Sequence, residues 1–225
     1  MVINKKDLLE KGAIIQRDGE NYAIAPHTPA GIITKEQLRK IADVAEKYNI
    51  SALKISSAQR IVLVGIKEKD LDNVWKDLDM DTGAAIGLCV RSVKTCPGTT
   101  FCKKALQDSL SLGLKLNSLY HGLQLPCKLK IGVSGCPNSC SESIIKDIGF
   151  IGDAKGFKLY VGGCASNNAR LGNLITTGLS IDEAIKMTEK IIKLIQDLNI
   201  PKKRLGKIID EIGFDTFKEK LYSIN

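Results

Sequence analysis

Seven cysteines punctuate the chain: Cys89, Cys96, Cys102, Cys127, Cys136, Cys140 and Cys164. Four of them form two close pairs, Cys96-x5-Cys102 and Cys136-x3-Cys140, with 33 residues between the pairs. Thiolates grouped in this way can ligate one centre from two loops, and a [4Fe–4S] cluster asks for four such soft anionic ligands. Structural zinc competes for the same ligands, but its pairs are usually spaced x2 to x4, so the five-residue gap counts against it. A thioredoxin-like dithiol needs Cys-x-x-Cys, which is absent. The odd number of cysteines and the lack of a visible secretion signal speak against a disulfide framework. Cys89, Cys127 and Cys164 read as buried free thiols. Cys96 and Cys136 are each followed by proline, a residue suited to the first helical position. Both are therefore expected at helix starts, where the dipole and free N–H groups favour thiolate over thiol.

Charged residues supply a second set of candidates. Lys128 and Lys130 alternate with Leu129 and Ile131, which places both ammonium groups on one strand face. Two fixed cations there can bind an anion, stabilise charge and donate protons; the plain alternative is a solvated strand face. Arg60 opens an apolar strand and can pair with an anionic group or face away. Gly162-Gly163 after a strand would expose backbone N–H groups to a carboxylate, or form a simple turn. It is no dinucleotide fingerprint, because the Gly-x-Gly-x-x-Gly spacing is missing. His27 and His121 have no metal-ligating neighbour in the sequence, so structural roles are expected for both.

The elements that must position these groups follow from periodicity and punctuation. Ala13–Arg17 and Tyr22–Ala25 read as strands joined at Asp18-Gly19, with a loop over Pro26–Gly31. Thr34 and Gln37 have capping-box spacing, and Leu38, Ile41, Ala42, Ala45 and Tyr48 recur on one face of the helix after them. Ala52–Ile55 and Arg60–Gly65 read as strands and Lys69–Leu78 as a short helix. This strand-strand-helix-strand-strand-helix order predicts an antiparallel α+β plait over residues 1–78. The cysteines begin beyond Asp79, so the second domain is placed at 79–225. There Val90–Thr95 and Lys128–Val133 read as strands, each running into a Cys-Pro step, with helices opening at Pro97 and Pro137. Ile148–Ile151 and Lys158–Val161 are further strands. Ser180 and Glu183 open a helix to about Leu198, and Lys202–Leu221 reads as two short helices broken at Gly213.

Composition sets outer limits. With 225 residues, 44% hydrophobic and 26% charged, the chain reads as globular rather than disordered. Its longest apolar run, Ile61–Ile66, is too short for a membrane helix, and no signal peptide is visible, so a cytoplasmic protein is expected. The net charge of +8 suits a polyanionic partner. Nucleic acid is the default candidate, but 11 aromatic residues and no run of five basic ones argue against it.

The flanks of the cysteines narrow the reading. Leu125-Pro126-Cys127-Lys128-Leu129-Lys130, continuing through Ser134-Gly135-Cys136-Pro137-Asn138-Ser139-Cys140, resembles the siroheme-binding signature of the sulfite and nitrite reductase family. So does Val90-Arg91-Ser92-Val93-Lys94-Thr95-Cys96-Pro97-Gly98-Thr99-Thr100-Phe101-Cys102. Upstream, Tyr22–Pro26 with Gly31–Ile33, and Ser57–Ile66, look like that family's ferredoxin-like half-domain. Downstream, Leu159–Gly163, Arg204-Leu205-Gly206 and Gly213–Phe217 continue the likeness. The chain is about half the length of the common family enzymes, which duplicate this unit, and so looks like a small single-repeat sulfite reductase.

The resemblance implies an α+β chain, a ferredoxin-like half-domain followed by a mixed α/β siroheme/[4Fe–4S]-binding domain. It implies that Cys96, Cys102, Cys136 and Cys140 bind the cluster and that Cys140 bridges a cluster iron to the siroheme iron. Lys128, Lys130 and Arg91 match the family's basic residues beside the distal haem face. The longer relatives often carry an arginine where this chain has Ala58, and Arg60 is the candidate replacement. The implied activity is six-electron reduction of sulfite to sulfide, with nitrite reduction to ammonia as the alternative. No flavin or nicotinamide motif is present, so an external donor such as a ferredoxin or flavoprotein is expected, and two copies could form an isologous homodimer. A cluster-only electron-transfer protein and a basic zinc module remain the readings from other classes.

Overall fold

The computed structural model describes residues 5–224. The chain divides into two compact units, one running to Gly87 and the other starting at Leu88. The division falls later than the Asp79 boundary expected from the cysteines. The intervening segment stays with the first unit, because Asp81 accepts the His27 N–H at its carbonyl and Thr82 bridges Pro26.

In the first unit β1 (Ala13–Ile15), β2 (Asn21–Ile24), β3 (Ala52–Ile55) and β4 (Ile61–Lys67) form an antiparallel sheet in the order β1-β2-β4-β3. Helices α1 (Lys35–Lys47) and α2 (Leu71–Leu78) connect and follow the strands. They bury Ile41, Val44, Leu71, Val74 and Leu78 in one core with Tyr22, Ile24, Leu63 and Ile66. The α1 start is a reciprocal capping box between Thr34 and Gln37, as their spacing predicts.

The second unit holds a five-stranded sheet in the order β5 (Val90–Thr95), β6 (Leu129–Ser134), β7 (Ile148–Asp153), β8 (Gly156–Val161), β9 (Asn173–Leu179). β5, β6 and β7 run parallel; β8 returns antiparallel to β7, and β9, antiparallel to β8, runs in the direction of the first three. After β5 come a four-residue helix, α3 (Gly98–Phe101), and then α4 (Ser109–Tyr120). Helices α5 (Ile181–Leu198), α6 (Leu205–Ile212) and α7 (Phe214–Ser223) complete the unit, with the break at Gly213 where the sequence places it. Leu129, Ile131 and Val133 of β6 enter the core with Leu112 and Leu116 of α4 and Ile191 and Ile195 of α5. No helix among the described residues is long and apolar enough to cross a membrane.

One expectation fails here, and a second holds only in part. No helix opens at Pro137; residues 136–142 make successive tight turns, the Ser139 N–H donating to the Cys136 carbonyl and the Glu142 N–H to Ser139. Ser139 and Glu142 adopt left-handed backbone, at φ 49° and 55°, which stops right-handed winding. Pro97 does precede a helix, but one of a single turn, too short to carry a useful dipole. The thiolate environment must therefore come from individual donors.

α4 lies so close to β5 that a Cβ on Gly113 would stand 1.8 Å from Thr95 Cγ2. Gly113→Ala is therefore expected to destabilise the chain by about 1–3 kcal/mol through overpacking, despite the roughly 1 kcal/mol that alanine gains in a helix. A lowered urea midpoint checks this, and an unchanged one would mean that the helix can move aside.

Candidate cluster and anion site

The two Cys-Pro steps leave the same end of neighbouring parallel strands. Thr95 pairs with Val133, so Cys96 emerges beside the segment that leads to Cys136. The Cys96 N–H donates to the Val133 carbonyl at 3.1 Å, which continues the ladder by one step. The carboxyl ends of parallel strands are the usual ligand-binding end of such sheets.

Backbone bonds then tie the other cysteine loops to this end. The Cys102 N–H closes the α3 turn on Gly98, at 2.9 Å. The N–H groups of Leu106 and Gln107 both donate to the Gly135 carbonyl, at 2.8 and 3.0 Å, joining the loop after Cys102 to the residue before Cys136. Close approach is possible because position 135 is glycine: a Cβ on Gly135 would stand 2.7 Å from the Gln107 carbonyl oxygen. Cys140 comes after the Cys136–Ser139 turn, and the Ser141 N–H behind it is held by Ser134 Oγ at 3.2 Å. Cys136 is buried, Cys96 and Cys102 are partly covered, and Cys140 is exposed; all are free thiols.

Among the described residues, no three His, Cys, Asp or Glu side chains converge tightly enough to hold a single metal ion. A four-iron cluster makes a different demand, one thiolate at each of four separate corners. The donor chemistry around these sulfurs suits such anions. Cys96 Sγ accepts from the Gly135 N–H at 3.1 Å and lies 3.2 Å from Ser109 Oγ. The Ser141 hydroxyl, next to Cys140, is buried and has no hydrogen-bond partner among the described residues. By contrast, burial pushes the Cys127 thiol up to about 11, so at neutral pH it stays protonated and is a poor ligand.

The cationic groups gather on the polar face of β6. Lys130 lies within the strand and Lys128 just before it. Burial lowers the pKa of both, and other cations add to the effect: Arg204 and Arg91 at Lys128; Lys128, Arg204 and Lys146 at Lys130. The ion pair that organises this face has no signal in the sequence. Asp147, wholly buried, accepts from Arg204 Nε at 2.8 Å, from Arg204 Nη2 at 2.7 Å and from the Lys130 N–H at 2.8 Å. Full burial pushes the Asp147 carboxyl up against these donors, while the same pair, opposing burial, holds the Arg204 guanidinium up.

A cavity of about 520 Å³ opens beside them, lined by Lys128, Arg204, Arg170, Lys207, Cys164 and the 166–169 loop, with Asp210 as its carboxylate. Arg170 is anchored to Asp210 and to the Gly162 carbonyl, the latter at 3.0 Å. This corrects the expectation for Gly162. Its N–H already donates to the Asp147 carbonyl at 2.7 Å, so it cannot serve a carboxylate. Gly162 adopts φ 79° and shapes the turn that seats Arg170. Gly163 is needed for space, since a Cβ there would stand 2.3 Å from the Ile144 carbonyl oxygen.

Arg60 belongs to the first unit and is buried there. Its N–H donates to Ser56 Oγ at 3.3 Å, and a Cβ on Gly83 would stand 3.2 Å from its Nη1. Burial, with help from the Arg60 charge, lowers His27 to about 4, so His27 is neutral at physiological pH. That state agrees with the structural role expected of His27.

Comparison with known proteins adds lineage to this geometry. Residues 86–224 match the nitrite and sulphite reductase 4Fe-4S domain, and residues 14–81 the nitrite/sulfite reductase ferredoxin-like half domain. The chain is similar to the assimilatory-type sulfite reductase of Nitratidesulfovibrio vulgaris, 39% identical over 93% of this chain and 96% of that protein. It is also 39% identical to the nitrite reductase [NAD(P)H] of Bacillus subtilis, over 89% of this chain but only 25% of that much longer protein. Dissimilatory sulfite reductase I shares the fold, with a TM-score of 0.81 at 18% identity over 92% of this chain and 70% of that one. By the match of both its units and by its near full-length likeness to a small reductase, this chain belongs to the nitrite and sulfite reductase family of oxidoreductases, and its second unit is that family's 4Fe-4S domain.

Proposed function

We propose that this chain reduces sulfite to sulfide, taking six electrons one at a time from an external ferredoxin- or flavoprotein-type donor. The observation that carries this reading is the similarity to an assimilatory-type sulfite reductase over nearly the whole of both chains. Cys96, Cys102, Cys136 and Cys140 would hold the [4Fe–4S] cluster, with Cys140 shared with a siroheme. Together these groups supply an electron store and an iron centre for the substrate. The cavity's lysines and arginines are the chemistry that a polycarboxylate tetrapyrrole and an oxyanion both require.

The chain's own residues divide the remaining work. Arg204, locked by Asp147, keeps its proton at all relevant pH values and acts as a fixed positive charge. Arg91, whose charge acts on Lys128, would add to the positive field. Lys128 and Lys130 can do more, because burial brings them closer to releasing a proton as S–O bonds break. Lys128→Ala is expected to lower kcat by about 10²–10⁴-fold while both cofactor absorption bands persist; an unchanged rate would remove Lys128 from the chemistry. The ammonium form is the proton donor and is lost as pH rises through its lowered pKa. The alkaline limb of kcat should therefore fall below the ordinary lysine value. Lys128→Ala, by removing a cation that depresses Lys130, should move that limb to higher pH.

Steady-state turnover with a reduced viologen donor tests the proposal. Sulfite should be reduced with the higher kcat/KM; a clear preference for nitrite would make ammonia the product. Anaerobically purified protein with a cluster spectrum but no chlorin-like red band would point to electron transfer alone.

A further inference from the structure

Ser109 is wholly buried at the start of α4, thirteen residues from Cys96 in sequence, and its hydroxyl touches Cys96 twice. Ser109 Oγ lies 3.1 Å from the Cys96 carbonyl oxygen and 3.2 Å from Cys96 Sγ. A serine hydroxyl has one proton and can satisfy only one of these acceptors at a time. When Cys96 is a thiol, its S–H can donate to Ser109 Oγ while the serine proton goes to the carbonyl. When Cys96 is a ligating thiolate, the sulfur has no proton to give and becomes the more basic acceptor. The serine proton can then turn to it.

The surroundings leave little room for the hydroxyl to move. Gly98 and Gly135 pack against it: a Cβ at Gly98 would stand 2.7 Å from Ser109 Oγ, and one at Gly135 3.2 Å. The Ser109 N–H is already given to the Gln107 carbonyl at 3.0 Å. From the other side, the Gly135 N–H donates to the same sulfur at 3.1 Å. Cys96 thus sits between a backbone donor that is permanently aimed and a side-chain donor that can reorient.

We propose that Ser109 is a positioning residue whose hydroxyl rotates from the Cys96 carbonyl to the Cys96 sulfur when that sulfur ligates iron, and that this hydrogen bond raises the reduction potential of the cluster. The inference rests on Cys96 being a cluster ligand. Its physical basis is that reduction adds negative charge to the cluster and its sulfurs, so a donor to sulfur binds the reduced state more strongly. No chemical bond is made or broken; the added electron comes from the donor that reduces the cluster.

Ser109→Ala is the test, made in the full chain and read by an anaerobic redox titration of the cluster signal. The midpoint potential is expected to become more negative, corresponding to a roughly three- to tenfold loss in the reduction equilibrium constant, or at most about 59 mV for one electron. Resonance Raman spectra of the wild-type cluster should show an Fe–S(Cys) stretch that shifts in D2O, with part of that shift missing in Ser109→Ala. An unchanged potential together with an undiminished isotope shift overturns the proposal. Ser109→Thr keeps the hydroxyl. If only the alanine variant fails to load, the hydroxyl is shown to be needed; if neither variant loads, the wild-type isotope shift decides, and its absence refutes the proposal. Wild-type protein that binds no cluster would instead remove Cys96 as a ligand, a failure distinct from loss of the Ser109 effect.

Discussion

Protein carrying Cys136→Ala, isolated without oxygen, is expected to contain iron and acid-labile sulfide only at background level and to have no measurable reductase turnover. Loss of an outer-shell partner typically costs about 10–100-fold in metal affinity or activity; removing a ligand itself should cost more. The position of Cys136 makes the effect severe. It is buried between the Gly135 carbonyl, which anchors the loop after Cys102, and the turn that presents Cys140. Cys127 is the informative control, a fully buried thiol packed in the second unit's core. Its raised pKa keeps it protonated, so Cys127→Ala should retain full iron content and lose only stability, measured as a lower melting temperature. Iron analysis of the two variants side by side checks the assignment. Equal loss in both, or retained iron in Cys136→Ala, would show that the four-cysteine set has been wrongly drawn.

That assignment can be read from sequence because its signal is local. The paired spacings Cys96-x5-Cys102 and Cys136-x3-Cys140 need no knowledge of the fold, and neither do the capping boxes at Thr34 and Ser180, which open helices where expected. Val90–Thr95 and Ala52–Ile55 are strands over those same residues because their boundaries carry clear turn signals. The misses have a different origin. At Pro137 a local rule favours a helix, but left-handed backbone at Ser139 and Glu142 overrides it. β9 escapes a sequence reading because Thr176-Thr177-Gly178 breaks the apolar alternation, and its pairing with β8 shifts register twice.

The groups that shape the site chemistry are hidden for a third reason: their partners are distant in sequence. Arg204 is 57 residues from Asp147, and Ser109 is thirteen from Cys96. Only the sheet register and the packing of α4 and α6 bring them together. Residue type and spacing can nominate metal ligands, but they do not reveal the donors and counter-charges around those candidates.

Removing such a counter-charge should have its largest effect at the Asp147–Arg204 pair. Asp147→Ala is expected to destabilise the chain by about 3–5 kcal/mol, the usual cost of leaving one member of a buried ion pair alone. The Arg204 side chain retains 21% exposure, so some of its charge can be resolvated and the lower end of that range is expected. For a chain of this size the loss corresponds to a melting-point drop of roughly 6–12 °C. Asp147→Asn keeps the shape and one acceptor oxygen for the Lys130 N–H, but not the negative charge, and should fall between the wild type and the alanine variant. Catalytic consequences carry their own sign. Asp147 is the carboxylate that holds the Lys128 and Lys130 pKa values up against burial and their cationic neighbours. Without it, both lysines release their protons at lower pH, and the alkaline limb of turnover should move down in either variant, opposite to the shift expected for Lys128→Ala. Thermal melts and pH–rate profiles measured on the same preparations separate the two effects. A variant that melts early but keeps the wild-type pH profile would confine Asp147 to scaffolding, and one with unchanged melting would show that Arg204 finds enough water or another partner to manage without it.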